Sequence, residues 1–221
     1  MQKFDTAAAI VTTLAVPAGR IRIIATDRTD TTVDIQPADS SKSRDVNTAR
    51  RTDVTYTDGV LRIEVPKTKN GILGDTGSIE VTVQLPAGSR VEAQAAAAEL
   101  TTTGRLGDVT FEGAYRQIRI DEAASLRLTA ADGDIEIGRL TGSADITTAR
   151  GDIHVAQALA GTVNLTTQKG DITLAAATGV SATLDAGTAY GRVTNSLKND
   201  GIPALSIRAT TSYGDITARS L

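Results

Sequence analysis

Cysteine is absent from the 221 residues. No disulfide, cysteine-bound metal or thiol nucleophile can therefore form. Histidine occurs once, as His154. Multi-histidine zinc sites are excluded, and a histidine-dependent triad has a single candidate. Tryptophan is missing, and two Phe and four Tyr are the whole aromatic complement. No apolar run approaches the ~20 residues that span a bilayer. Charge of one sign is also lacking: 23 Lys and Arg stand against 26 Asp and Glu, a net of −3. Such a balance predicts no electrostatic grip on nucleic acid. The opening Met1-Gln2-Lys3-Phe4-Asp5 shows no charged segment followed by an apolar one, so a cytoplasmic location is expected.

What remains is Ala, Val, Ile and Leu in a chain that is 40% apolar and 22% charged. That composition belongs to a globular protein. Its core must be thin and regular, filled by small branched side chains. The length suits one large domain or two small ones.

A Gly-Asp-apolar-x-apolar unit recurs. It reads Gly107-Asp108-Val109-Thr110-Phe111, Gly133-Asp134-Ile135-Glu136-Ile137, Gly151-Asp152-Ile153-His154-Val155, Gly170-Asp171-Ile172-Thr173-Leu174 and Gly214-Asp215-Ile216-Thr217-Ala218. Gly191-Arg192-Val193-Thr194-Asn195 is a variant with Arg in the Asp place. Successive glycines lie 26, 18, 19, 21 and 23 residues apart. Between them lie second strand-like segments, such as Ala144-Asp145-Ile146-Thr147-Thr148 and Val163-Asn164-Leu165-Thr166. Both segment types alternate apolar with polar residues, as strands with one buried face do. Residues of one type recurring at one place in each repeat predict coils stacked in parallel. The expected inward set is Val109, Phe111, Ile118, Ile120, Leu126, Leu128, Ile135, Ile137, Ile146, Ile153, Val155, Val163, Leu165, Ile172, Leu174, Leu184, Val193 and Ile216. Two strands per coil fit the half-repeat better than three.

The first 88 residues read differently. Strands are expected at 21–23, 32–35, 54–56, 61–65 and 79–85. Asp58-Gly59 predicts a two-residue hairpin turn. Residues 45–50 suit a short helix, and Lys67 to Thr76 a surface loop. Val16-Pro17-Ala18-Gly19 and Leu85-Pro86-Ala87-Gly88 are expected to end one strand and turn the chain into the next. The alanine run Ala93 to Ala98 favours a helix by propensity, yet is read as a strand entering a narrow coil. The predicted fold is all-β. An antiparallel β portion over 1–88 continues into a parallel β-solenoid of about five or six coils over 89–221, as one continuous structural unit.

Three stretches carry a family resemblance. They are Leu85-Pro86-Ala87-Gly88-Ser89-Arg90-Val91, the Gly-Asp-Ile units, and Ser212-Tyr213-Gly214-Asp215-Ile216-Thr217. With them the chain resembles the bacterial β-strand-repeat proteins, a domain-of-unknown-function family often labelled putative adhesins. The resemblance implies a β-helical domain and no established catalysis, and it carries over no functional residues.

The column Asp108, Asp134, Asp152, Asp171 and Asp215 could hold calcium between coils, or serve turn amides beside each glycine. The calcium-roll pattern Gly-Gly-x-Gly-x-Asp is absent, which favours the turn role. Two such charges about 5 Å apart in water repel by roughly 1 kcal/mol, and Arg105, Arg150 and Lys169 lie close enough in sequence to offset that. His154 alternates with Ile153 and Val155, so it should face solvent. Glu136 and Asp145 are the outward carboxylates a sugar-cleaving β-helix could use. Tyr115, Tyr190 and Tyr213 either line a binding strip or cover the end of the core. The outward threonines are ordinary β-surface, or a flat ligand face.

No catalytic, cofactor-binding or metal residue is assigned, no cofactor is expected, and the chain is read as no enzyme. The leading expectation is a scaffold or binding module for an unknown protein partner, with self-association through the solenoid ends as a variant. An exported adhesin-like surface protein is the alternative. A carbohydrate-active enzyme comes last.

Overall fold

A computed structural model describes residues 1–66, 77–113 and 117–221. The expected loop from Lys67 to Thr76 and the site candidate Tyr115 lie outside the described residues. The chain forms two compact units, Met1–Tyr115 and Arg116–Leu221.

The first unit contains β1 (Gln2–Asp5), β2 (Val11–Thr26), β3 (Asp30–Pro37), helix α1 (Ser43–Arg51), β4 (Asp53–Thr57), β5 (Val60–Glu64), β6 (Ile79–Pro86), β7 (Arg90–Thr103) and β8 (Arg105–Gly113). Antiparallel pairs join β1 to β3, β3 to β6 and β4 to β5. Asp58 and Gly59 close the last hairpin with φ of 51° and 78°, the left-handed pair that a two-residue turn requires. Parallel pairs begin here too. The first half of β2 runs beside β5, its second half beside β6, and β7 lies along both halves. Strand β8 continues the parallel stack on β7.

Val16-Pro17-Ala18-Gly19 does not end a strand, as the sequence suggested. It lies inside β2 where pairing passes from β5 to β6. A Cβ on Gly19 would meet the Ile79 carbonyl oxygen at 1.9 Å, so only glycine admits this approach. The alanine run is strand, as read. Ala93, Ala95 and Ala98 are buried in β7, because pairing with β2 outweighs helix propensity. Helix α1 receives the start of β6 through its own side chains. The Ser78 N–H donates to Asp45 Oδ1 at 3.0 Å and the Gly77 N–H to Thr48 Oγ1 at 2.9 Å.

The second unit contains β9 (Ile118–Ala130), β10 (Ile135–Leu140), β11 (Ala144–Arg150), β12 (Ile153–Ala158), β13 (Gly161–Lys169), β14 (Ile172–Ala176), β15 (Ala182–Tyr190), β16 (Val193–Ser196), β17 (Leu205–Tyr213) and β18 (Ile216–Ser220). Every pairing within it is parallel, with two strands per coil. The front sheet runs β9, β10, β12, β14, β18, β16. The back sheet runs β9, β11, β13, β17, β15. The stacked, all-parallel coil predicted from the repeats is the fold of this unit.

The coils do not stack in sequence order. After β14 the chain skips one level, builds the outermost coil from β15 and β16, then returns to fill the gap with β17 and β18. The inward residues explain the choice. Strands β17 and β18 supply Leu205, Ile207, Ala209, Ile216 and Ala218, all at most 2% exposed. The outer coil puts Ala182, Leu184, Ala186, Val193 and Asn195 in the same columns, with smaller side chains at two positions and a polar one at the last. The coil with the complete apolar set takes the enclosed level.

That order leaves two of the expected inward positions uncovered. Sixteen members of the expected inward set are buried, but Leu184 is half-buried and Val193 is 42% exposed. Both belong to the outermost coil, which no described strand covers on its far side.

Candidate binding surface

The conspicuous acids serve the coil itself. Asp134 Oδ1 accepts the Asp152 N–H at 2.9 Å, and Asp152 Oδ1 accepts the Asp171 N–H at 2.7 Å. Asp171 Oδ1 takes the Asp215 N–H at 2.7 Å, and Asp215 Oδ1 the Arg192 N–H at 2.8 Å. Each carboxylate thus serves an amide one level up, not its own turn as the sequence suggested. Parallel coils bring equivalent positions together, and the open corner leaves each amide without a strand partner. At the outermost level no further described coil supplies an amide, and there Arg192 replaces Asp.

The glycines beside these acids are equally structural. A Cβ on Gly170 would stand 2.1 Å from the Gly151 carbonyl oxygen, and φ there is +152°. Among the described residues no cluster of three or more His, Asp or Glu could hold a metal ion. Asp108 lies in the first unit on β8, 4.0 Å from Arg90.

His154 faces solvent on β12, as predicted, between Glu136 and Thr173 in register. Glu136 accepts Arg119 Nε at 2.8 Å and Gln117 Nε2 at 3.0 Å. The Arg119 guanidinium holds the Glu136 carboxyl below the usual glutamate range. Asp145 sits on the other sheet, in register with Arg127 and Asn164. The two outward carboxylates are not brought together.

The back sheet collects what the sequence scattered. One outward column reads Arg127, Asp145, Asn164, Arg208, Asp185. The next reads Thr129, Thr147, Thr166, Thr210 and ends at Gly187. At the strand ends, Arg150, Lys169, Tyr213 and Tyr190 follow one another. The two tyrosine rings stack with centroids 4.9 Å apart and planes 3° apart. They are 56% and 68% exposed, so they do not close off the core. Two cations followed by two parallel rings offer both charge and apolar contact on a rigid edge. The individual residues were visible in the sequence. Their juxtaposition required the skipped coil level, because Tyr213 is later in the chain than Tyr190 but lies nearer the interior of the stack.

The first unit has a depression of about 300 Å³ on the outer face shared by β5, β2, β7 and β8. Thr13 and Ala15 form its low floor between Arg62 and Glu64 on one side and Glu92 and Glu112 on the other. Sequence reading missed it, since the small residues of β2 acquire meaning only beside longer neighbours. No helix among the described residues is long and apolar enough to cross a membrane.

Residues 12–220 match the model of one family, Toastrack DUF4097. Solved structures give the same fold. One is a "putative adhesin" of Bacteroides fragilis, 15% identical, with a TM-score of 0.57 over 98% of this chain and 95% of that one. Another so described, from Parabacteroides distasonis, is 12% identical, with a TM-score of 0.51 over 98% and 95%. No match was found among curated proteins.

Proposed function

The chain belongs to the Toastrack DUF4097 family, and from that premise we propose that it is a non-enzymatic binding scaffold. A stiff ladder of parallel coils presents the back-sheet edge to a protein partner. The observation that carries this reading is the Arg150-Lys169-Tyr213-Tyr190 column. Exposed, mutually stacked tyrosine rings, with Arg150 in the same column, match the residue types enriched at protein contacts. The Asp and Gly columns support it from the other side, because their chemistry is spent joining coils.

The test is capture from the native cell with two baits, the wild-type chain and Tyr190→Ser/Tyr213→Ser. A partner retained by the first and lost by the second is expected. Equal recovery on both baits would remove the tyrosine column from the reading. A second reading, a surface adhesin, is favoured by the description given to the two structural relatives. Cell fractionation separates the two, with the scaffold expected in the cytoplasm and the adhesin at the surface.

A further inference from the structure

Exposed apolar side chains gather at one end of the second unit. Apart from the terminal residues Met1 and Leu221, the large exposed hydrophobic residues are Tyr190, Val193, Ile202 and Tyr213 among those described. All lie in the outer coil or next to it. Strand β15 pairs with β17 on one side, and no described strand pairs with its other side. An edge of this kind is usually blunted by Lys, Pro, a bulge or a charged cover. Strand β15 has neither Lys nor Pro, and Asp185 is its one charge.

Gly187 is the second observation. It ends a column of Thr129, Thr147, Thr166 and Thr210, and it is exposed in the middle of the strand. Nothing among the described residues requires glycine there. Its φ is not in the left-handed region, and a Cβ would meet no atom within 4 Å. Glycine inside a strand weakens it and marks the close approach of another chain.

We propose that the outer edge of β15 pairs antiparallel with β15 of a second copy, about a two-fold axis through Ala186. The register follows from size and charge. Ala186 then faces Ala186, Leu184 faces Thr188, and Asp185 faces Gly187, which leaves room for the carboxylate. No like charges oppose each other, and the half-buried Leu184 gains a cover. Because the pairing is closed, it ends at a dimer rather than a fibre. The loop beyond β16 sets the limit of pairing at one end, where the Ala182 N–H already donates to the Lys198 carbonyl at 2.9 Å. The dimer goes beyond the scaffold reading and is independent of it, since a monomer could still present the tyrosine column.

The chain has no cysteine, so one introduced thiol reports without background. Directly opposed residues of an antiparallel pair have Cα atoms about 4.5–5.5 Å apart, within the span of a disulfide. Oxidised Ala186→Cys should give a covalent dimer in non-reducing electrophoresis, while Ala189→Cys, displaced from the axis, should give little. Sedimentation of the full wild-type chain should show a monomer–dimer equilibrium. Gly187→Glu, facing Asp185 of the other copy, should weaken it at least tenfold. Gly187→Lys, which fits the monomer equally well and sets an ammonium opposite Asp185, should weaken it far less than Gly187→Glu. A wild-type chain that stays monomeric up to the highest soluble concentration overturns the proposal, as a foreign strand on this edge would require. A dimer indifferent to Gly187→Glu, or lost equally in both variants, overturns it too.

Discussion

The inner coils and the outer coil of the second unit share one sequence grammar and differ in what surrounds them. Ile135, Ile153, Ile172 and Ile216 form an inward column at 0–1% exposure, and Val193 continues it at 42%. Asp stands at the corner of each inner coil and Arg192 at the outer one. Thr occupies the back-sheet column until Gly187 ends it. Position in the stack, not membership of the repeat, therefore decides what each residue contributes. The lesson is that a column has a cost structure: full in the middle, small at the end.

The largest expected contrast lies in the apolar column. Ile153→Ala leaves a cavity between two neighbouring coils and should destabilise by about 2–5 kcal/mol. Val193→Ala removes a side chain that solvent already reaches, and should cost less than about 1 kcal/mol. Urea midpoints measured on both variants check this. Equal losses would mean that the outer coil is as enclosed as the inner ones.

Glycine gives the next contrast. Gly170→Ala would force a Cβ against the Gly151 carbonyl and demand a backbone shift, at a cost of about 2 kcal/mol or more. Gly187→Ala meets open space and removes unfolded-chain freedom, so a change between zero and a gain of about 1 kcal/mol is expected. Thermal unfolding at a concentration where the chain is monomeric separates the two.

The acid ladder comes third. Asp152→Ala strands the exposed Asp171 amide, which water can partly satisfy, so a loss of about 1 kcal/mol is expected. Arg192→Asp adds an acceptor where no further described coil supplies an amide, and should be close to neutral. Hydrogen exchange should quicken at the Asp171 amide in the first variant and stay unchanged there in the second.

Much of this was legible in the residues. The Gly-Asp-Ile recurrence predicts parallel coils, and alternation predicts eighteen inward positions of which sixteen are buried, because a stack repeats the same environment at every level. Level order was not legible. Nothing local to Gly191 or Gly214 states which coil is outermost, and that depends on which apolar set gains more from enclosure. Leu184 and Val193 keep the inward register but lie uncovered for that reason. The role of Asp was half legible: its turn position shows, but the amide that donates to it lies 18 to 44 residues away. The parallel use of β2 was hidden because a strand's neighbours are chosen by distant segments, here β5, β6 and β7. The tyrosine column needed the level order first.

The smallest effect concerns protonation of an outward inner-coil residue. Glu136 is held below its ordinary pKa chiefly by Arg119, with Gln117 assisting. The folded value is depressed relative to the unfolded one. The stability this contributes is fully present above the ordinary glutamate range and is lost as pH falls through the folded value. Exposure screens the pair, since Arg119 and Glu136 side chains are 53% and 41% accessible, so the slope is shallow. Glu136→Gln should therefore lower the neutral plateau slightly and flatten the acid limb below about pH 4.5 by the same small amount, so that the two curves converge at low pH. Asp185→Asn, at the outer coil, separates ion pairing in general from position in the stack. Its partner Arg208 is 3.1 Å away, but both side chains are more than 70% accessible. A loss of stability at neutral pH as large as that of Glu136→Gln would show that the outer coil holds its charges as firmly as the inner ones, against the difference in enclosure.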